Sequence, residues 1–542
     1  MNISKEAIFA KTIRKIIKER IKSQEDLAKI KRKISKRYKI SCPSNVELLK
    51  AYHSFCKNKR LKPDKKIELL LRKRKIRSLS GVAVVSVLTK PYPCPGKCLY
   101  CPTQKGMPKS YLDNEPAVMR AVLNKFDPYR QVQNRLKSLE LTGHPTDKIE
   151  LIIIGGTWSY LPRKYQYWFI ARCFTACNAG LRGKTRKTKS LFEKQKINEG
   201  TKHRIVGITI ETRPDFINEE EIINLRKLGV TRVELGVQSI YDDILKLNQR
   251  GHNVDAIIKA TKLLKDAGFK ICYHLMPNLP GSTPKRDEKM FEEIFKNPDF
   301  QPDLLKIYPC AILKEAKLYK LWRAKKYKPY TEKQLINLLK KAKKKIPYYC
   351  RIQRLTRDIP SQSIITGPAK ISNLRQILEK ESKKEGWRCH CIRCREVKEN
   401  YDPKEKLHLY RQDYESSDGK EIFLSYESKN RERLYSLLRL RIPSQIFKKR
   451  GHFLPVLQDS AIIREVHTYG QLEPLSKGGR TSLFSPQHKG LGKKLIREAE
   501  RIVKEEFWLD KISVISGVGV RNYYKKLCYN LKDSYMVKKF SS

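Results

Sequence analysis

Long apolar runs are absent from this chain: nowhere do the roughly eighteen consecutive apolar residues of a membrane-spanning helix occur. The N-terminus also lacks the apolar core of a secretion signal. Both absences argue against membrane insertion and export and predict a cytosolic (cytoplasmic) chain, in which thiols stay reduced. Acidic residues are scarce as well. Against 116 Lys plus Arg stand only 56 Asp plus Glu, giving a formal net charge of +60. An imbalance of this size implies a polyanionic partner, with RNA or DNA leading. No internal repeat is present, so the chain is read as a series of distinct domains.

What is present begins with length. The chain has 542 residues, 40% of them apolar, which predicts three or four domains with real cores. Its 14 cysteines, in a reducing compartment, favour metal ligation or catalysis wherever they cluster. The first 40 residues hold 14 Lys/Arg against 4 Asp/Glu, with Ile8, Ile13, Ile16, Ile17, Ile21 and Leu27 at roughly helical spacing. This segment reads as a basic amphipathic helical region, either a solvated face over a packed stripe or a nucleic-acid arm. From residue 81, β-rich runs such as "GVAVVSVL", "IELIIIGGTW" and "IVGITIETRPD" alternate with helical stretches, which predicts a parallel sheet. Six such strands are too few for a full barrel and indicate an open, partial one. The stretch "RGKTRKTKSLFEKQK" lacks apolar periodicity at its start and reads as a basic surface insertion. A second β-rich block after residue 400 indicates a separate α/β domain.

In "KPYPCPGKCLYCP", Cys94, Cys98 and Cys101 are spaced for a [4Fe-4S] cluster in which three irons take Cys and the fourth keeps an open site for a small molecule. The rivals are a zinc site, which as a structural centre wants four ligands, or three inconsequential thiols. The spacing resembles the signature of radical S-adenosylmethionine (SAM) enzymes. Gly155, Gly156 and Thr157 then end an apolar strand where that superfamily holds the amino group of SAM, though a Gly-Gly-Thr turn is weak alone. Glu211, Arg213, Glu234 and Gln238 fall at strand ends, where the loops of such barrels build the active site. They are expected to contact SAM or its neighbours, ordinary salt bridging being the alternative.

A second constellation is "QHKGLG", residues Gln487, His488, Lys489, Gly490, Leu491 and Gly492, directly before an amphipathic helix. Glycines there let backbone N–H groups approach a pyrophosphate such as that of coenzyme A, at the positive end of the helix. The strand "KISVISG" and then "GVRNYYKKLCY", with Asn522, Tyr523 and Tyr524, follow. This succession resembles the GNAT acetyltransferases, in which a phenol at the tyrosine pair can protonate a leaving thiolate. Glu465 and His467, alternating along "REVHTYG", are candidates for activating water against the thioester, or structural residues.

Joined in one chain, these halves resemble a single family, the catalytic subunit of Elongator. The likeness is carried by "CPGKCLYCP", "EPAVMRAVLNKFDPYRQVQNRL", "IIIGGTW", "GITIETRPD", "VELGVQS", "NQRGHNV", "KIYPCAILKEAKLYKLW", "IREVHTYG", "QHKGLG", "ISVISGVGVRNYYKKLCY" and "YMVKKF". The resemblance implies a tRNA uridine(34) carboxymethyluridine synthase, an acyltransferase with radical SAM activity. In it a 5′-deoxyadenosyl radical takes a hydrogen from the acetyl methyl of acetyl-CoA, and the carbon radical adds to C5 of the wobble uridine. The implied fold is α/β: a basic helical tRNA-binding segment at 1–80, a partial (β/α) barrel radical SAM domain at 81–385, a zinc-binding linker at 386–400 and a GNAT domain at 401–542. Implied cofactors and co-substrate are the [4Fe-4S] cluster, SAM, acetyl-CoA and a structural zinc. The RNA partner is the tRNA anticodon stem-loop; the electron donor is unspecified.

In "WRCHCIRCREV", Cys391 and Cys394 have the spacing of a zinc half-site. The resemblance makes Cys310 the first choice for a further ligand, with Cys389 or His390 completing the set. The spacing of Cys94 and Cys98 is the general radical SAM form rather than the wider one of eukaryotic relatives, which suggests a prokaryotic stand-alone member without accessory Elongator-type subunits. Cys528 stands where relatives carry Gly, with little effect expected. The alternative reading is a protein lysine acetyltransferase with a merely structural iron-sulfur cluster.

Overall fold

A computed structural model describes residues 4–58, 61–73, 79–179, 190–398, 401–472, 485–487 and 489–540. His488 and most of the basic stretch at 182–196 lie outside these residues. Four N-terminal helices, α1 (Lys5–Lys18), α2 (Gln24–Tyr38), α3 (Asn45–Lys57) and α4 (Lys65–Leu71), start at Ser4, Ser23, Ser44 and Asp64, each of which caps the helix with a side-chain oxygen. Their apolar stripes meet in a core of their own around Ile13, Ile16, Leu27, Leu48 and Tyr52. The basic helical segment is therefore a small four-helix bundle with a packed stripe, and most of its Lys and Arg residues are left on the outside.

Seven parallel strands follow in simple order: β1 (Ala83–Leu88), β2 (Lys148–Ile154), β3 (Arg204–Thr212), β4 (Arg232–Gln238), β5 (Lys270–Leu275), β6 (Leu304–Ile307) and β7 (Arg351–Arg354). Helices cross over between them, as parallel pairing requires. The partial barrel is thus as expected, with one strand more. β7, with the sequence Arg-Ile-Gln-Arg, buries only Ile352 and carries too little apolar signal to be seen in advance.

The second sheet is mixed, in the order β13-β14-β12-β11-β10-β9-β8. Its strands are β8 (His408–Ser416), β9 (Gly419–Glu427), β10 (Leu434–Ile442), β11 (Ala461–Thr468), β12 (Lys511–Val514), β13 (Asn530–Lys532) and β14 (Tyr535–Lys539). The helix Leu491–Glu505 connects β11 to β12 and makes them the parallel pair. That pairing covers only Ala461–Ile463, and β11 runs on to Thr468 against β10 alone. From Arg464 on, β11 is therefore not paired with β12.

The two sheets are joined by buried charge. Asp303 accepts from Arg464 at 3.0 and 2.5 Å, and Asp266 accepts from Arg441 at 2.9 and 2.6 Å. Gly517, just past β12, lies so close to the barrel that a Cβ there would stand 2.1 Å from the carbonyl oxygen of Val206. Its φ of −67° is ordinary, so the constraint is purely steric. Gly517→Ala is expected to destabilise the protein by about 1–3 kcal/mol through overpacking. An unchanged thermal midpoint would show that the seam yields freely.

Candidate active site at the barrel mouth

Loops after β1 to β7 enclose a cavity of about 440 Å³ lined by Cys94, Cys98, Cys101, Gly156, Thr157 and Arg213, among others. Gly155 and Gly156 have φ of +133° and +101°, values that favour glycine. A Cβ on Gly155 would lie 2.1 Å from the Thr89 hydroxyl, so a bare backbone is what lets the ends of β1 and β2 approach. Thr157 Oγ1 is 3.8 Å from Cys94 Sγ. Gly96 lies between the first two cysteines, and a Cβ built on it would be 3.6 Å from both sulfurs.

These residues suit a [4Fe-4S] cluster. The three cysteines line one cavity with Gly96 and Gly156, and burial pushes the Cys101 thiol up to about 11, so its thiolate calls for a cation. Arg213 donates through Nε and Nη2 to Asp215 at 2.9 and 2.7 Å, while its buried Nη1 has no partner and points at Gly96. A buried donor without an acceptor is costly, and a bound anion would satisfy it.

The other expected SAM contacts sit in the same cavity but are engaged differently. Glu211 accepts from Tyr111 Oη at 2.7 Å and lies 3.5 Å from Lys306 Nζ. Glu234 is fully buried and is held by Lys306, by His274 at 2.8 Å and by Arg232 at 3.7 Å. Burial alone would raise its carboxyl; Lys306, His274 and Arg232 outweigh that and pull it well below the usual range. Glu234 therefore fixes Lys306 and His274, which line the cavity and which sequence reasoning missed. Gln238 has φ +70°, a strained conformation for a non-glycine residue of the kind that clusters at working sites.

In the second sheet, Gly490 has φ +83° and opens the helix Leu491–Glu505 without a side-chain cap. The backbone N–H groups of that first turn are left for another acceptor. Tyr523 Oη faces this turn, 3.3 Å from where a Cβ on Gly492 would sit, and burial pushes its phenol up to about 12. Tyr524 instead belongs to the core, edge-on against Tyr529. The structure thus separates the pair: Tyr523 faces the glycines and Tyr524 packs.

Four further candidates, Gln487, Asn522, Lys489 and Glu465, are held by contacts of their own. Gln487 holds the loop to the barrel by accepting from Lys148 Nζ at 2.9 Å and donating to the Thr468 carbonyl at 2.9 Å. Asn522 donates to the Glu199 carbonyl at 3.1 Å, across the seam and not toward the glycines. Lys489 lies over the ring of Tyr401. Glu465 is clamped by Lys270 at 3.1 Å and Arg439 at 2.9 Å. Burial would raise its carboxyl, but these cations pull it far down, which leaves a poor base for water. His467 is the better base of the two. Its Nε2 donates to the Ser80 carbonyl at 2.7 Å, and burial lowers its pKa, so the ring is neutral with Nδ1 as acceptor.

Cys389, Cys391 and Cys394 offer sulfurs all within 4.8 Å of one another. Cys310 is not with them. It packs among Ile244, Leu279, Ile312 and Tyr327, where burial pushes its thiol up to about 12. His390 stacks on Tyr348, with ring centroids 4.6 Å apart. The cysteine next to Cys391 is Cys350, just before β7: its carbonyl accepts from Ile392 N at 2.9 Å, and after burial the charge of Cys391 is what most raises its thiol. A lone Cys in "YYCRIQ" gave no signal of this. No helix among the described residues is long and apolar enough to cross a membrane.

Comparison with known proteins agrees with this geometry. The chain matches the Radical SAM superfamily over residues 92–294 and the Radical_SAM C-terminal domain over residues 302–384. It is 46% identical to the tRNA uridine(34) acetyltransferase of Methanocaldococcus infernus over 553 residues, covering 98% of this chain and 99% of that protein. With Elongator complex protein 3 of Saccharomyces cerevisiae it shares 39% identity, covering 88% of this chain and 87% of that one. The solved structure of the archaeal Methanocaldococcus infernus Elp3 with an N-terminus deletion (1–46) superposes with a TM-score of 0.72 at 45% identity, covering 85% of this chain and 100% of that one. With a radical SAM half-barrel, a second mixed sheet and relatives matched from end to end, the chain belongs to the Elongator protein 3 family of tRNA uridine(34) acetyltransferases.

Proposed function

We propose that the chain adds a carboxymethyl group to C5 of the wobble uridine of tRNA, drawing the carbon from acetyl-CoA. The observation that carries the reading is the joining of two binding elements in one body. The three-cysteine loop on the barrel and the glycine-rich helix start on the second sheet are held together by the buried pairs Asp303–Arg464 and Asp266–Arg441. When bound, the cluster supplies the electron that splits SAM to a 5′-deoxyadenosyl radical.

The chain's own residues do the rest. Cys94, Cys98 and Cys101 would hold the cluster. The bare backbone at Gly155 and Gly156 and the unpartnered Nη1 of Arg213 would orient SAM, with Thr157, Glu211 and Gln238 closing the cavity around it. Lys306 and His274, fixed by Glu234, keep that cavity polar. On the second sheet, the first turn of the helix from Leu491, with Gly490 and Gly492, receives the pyrophosphate of CoA. The acetyl group would lie along the part of β11, Arg464–Thr468, that does not pair with β12. The methyl gives up a hydrogen atom and bonds to C5, and the adduct then releases the C5 proton and one electron, which replaces the one spent on SAM. Water then cleaves the thioester, with Nδ1 of His467 taking its proton and Tyr523 protonating the departing thiolate. Cys389, Cys391 and Cys394, with Cys350 next to Cys391, would hold a structural zinc and so tie the linker to β7. Purified protein is expected to contain one zinc per chain, and Cys391→Ala to lose it together with thermal stability. A zinc-free, fully folded sample would contradict the assignment.

The RNA partner is supported by the charge of +60 and by the basic outer surface of α1 to α4. If tRNA binding neutralises several phosphates, log Kd rises with log salt at a slope of about 0.9 per duplex phosphate or 0.7 per single-stranded one. A flat salt dependence would remove the electrostatic argument. The function is tested by incubating tRNA anaerobically with reconstituted protein, SAM, acetyl-CoA and a reductant, then analysing nucleosides by mass spectrometry. 5-Carboxymethyluridine is the expected product; tRNA unchanged by a protein that holds its full cluster would refute the reading.

A further inference from the structure

Arg250 lies in the segment between the short helix Asp242–Leu247 and the helix Val254–Asp266, and only 7% of it is exposed. Its Nε and Nη2 donate to the carbonyl of Gly236 in β4 at 3.1 and 2.5 Å. Its Nη1 reaches Cys98 Sγ at 3.7 Å. The contact is built, not incidental. A Cβ on Gly236 would fall 2.5 Å from Nη2, so a glycine inside the strand is what admits the guanidinium. Leu99 N donates to the Asn248 carbonyl at 3.2 Å, which locks the cysteine loop to the segment that carries Arg250.

This guanidinium lacks a carboxylate among the described residues. Asp215, whose charge reaches it, is spent on Arg213 at 2.7 Å. A buried cation without a counter-charge costs several kcal/mol. What stands against it is the sulfur of Cys98, with the buried Tyr100 hydroxyl, itself without a hydrogen-bond partner, beside both. The pairing makes sense once that sulfur is a thiolate bound to iron.

We propose that Arg250 sets the reduction potential of the cluster, by donating a charge-assisted hydrogen bond to the Cys98 thiolate. The inference rests on the cluster assignment above. Reduction adds an electron to a group already made negative by its thiolates. A fixed positive charge and an N–H···S bond favour the reduced form more than the oxidised one and so raise the potential. Placed on one sulfur of three at the wall of the cavity, Arg250 makes an otherwise strongly reducing centre accessible to a cellular one-electron donor. Arg250 is thus a positioning and tuning residue that acts through Cys98.

The test uses the full chain, loaded anaerobically, with iron and sulfide measured per protein and the midpoint potential read by EPR-monitored titration. Wild-type protein that holds no cluster would sink the functional reading itself, whereas the variants address only Arg250. Arg250→Gln, with a full cluster, is expected to weaken reduction at least tenfold, a downward shift of about 59 mV for one electron. Arg250→Lys keeps the charge but cannot span Gly236 and Cys98 together, and is expected to weaken it about threefold. Either variant fully loaded at the wild-type potential overturns the proposal. So does failure of both to hold a cluster, which would make Arg250 a builder of the site and not its tuner.

Discussion

Cys98→Ala should abolish 5′-deoxyadenosine formation from SAM, lowering it by more than about 10⁴-fold, the scale on which removal of one member of a catalytic unit acts. Cys98 is 6% exposed, on a loop whose neighbours are bound to the barrel by backbone hydrogen bonds such as Leu99 to Asn248 and Leu318 to Leu99. Loss of one small sulfur there leaves the fold intact. The variant should therefore unfold within about 1–2 kcal/mol of iron-free wild-type protein, the range of a modest core truncation. Carboxymethyluridine should vanish with the deoxyadenosine, because both draw on the same three-thiol site. Deoxyadenosine formation at more than a few per cent of wild type, in protein freed of adventitious iron, would show that the cluster is not held by Cys98.

Asp303→Ala should have the largest effect on stability. Asp303 is fully buried, accepts from Ile271 N at 2.9 Å, and takes both nitrogens of Arg464 while Arg439 stands at 3.5 Å. Its removal leaves two buried guanidinium groups short of charge, and breaking a buried pair in this way costs about 3–5 kcal/mol. Arg464 retains Glu421 at 2.7 Å and Arg439 retains Glu465 at 2.9 Å, which caps the loss at the upper end of that range. The sign with pH follows. Burial would raise the Asp303 carboxyl, but Arg464, Arg439 and Lys265 hold it below its ordinary value. Its contribution is therefore full above about pH 4, the unfolded value, and is lost as the pH falls through the lower, folded one. Urea unfolding at pH 7 should show the deficit, and the gap between variant and wild type should narrow under acid. Equal stability at pH 7 would mean that the seam between the sheets carries no net electrostatic energy.

Much of this was legible in the residues themselves. The spacing of Cys94, Cys98 and Cys101 suits an open-sited cluster and the resemblance to radical SAM enzymes favours it over zinc, while alternating strand and helix runs announce the parallel sheet. What stayed hidden depends on tertiary placement. Cys310 and Cys350 are both single buried cysteines, and only the packing of the linker against β7 sets Cys350 beside Cys391. Tyr523 and Tyr524 are adjacent and chemically equal until the helix turn sends one to the glycines and one to the core. Lys306 and His274 did leave a trace: Arg232 and Glu234 in β4, Lys270 and His274 in β5, and Lys306 in β6 occupy positions of one parity in strands otherwise apolar. Charges repeating at every second residue in buried strands mark the inside of a barrel that is polar for a purpose. Glu465 is the opposite case. Its strand position was right, but Lys270 and Arg439, which remove its basicity, come from β5 and β10, far away in sequence.

The central claim is that the two sheets serve one reaction, with the acetyl group as the hydrogen donor. The most direct measurement supplies acetyl-CoA with three deuteriums on its methyl, together with SAM, reductant and tRNA, and weighs the products. One deuterium in 5′-deoxyadenosine and two in the carboxymethyl group of the uridine are the result expected here. Unlabelled deoxyadenosine formed alongside modified uridine would mean that the hydrogen comes from elsewhere, and that the two halves of this chain do not meet on a common substrate.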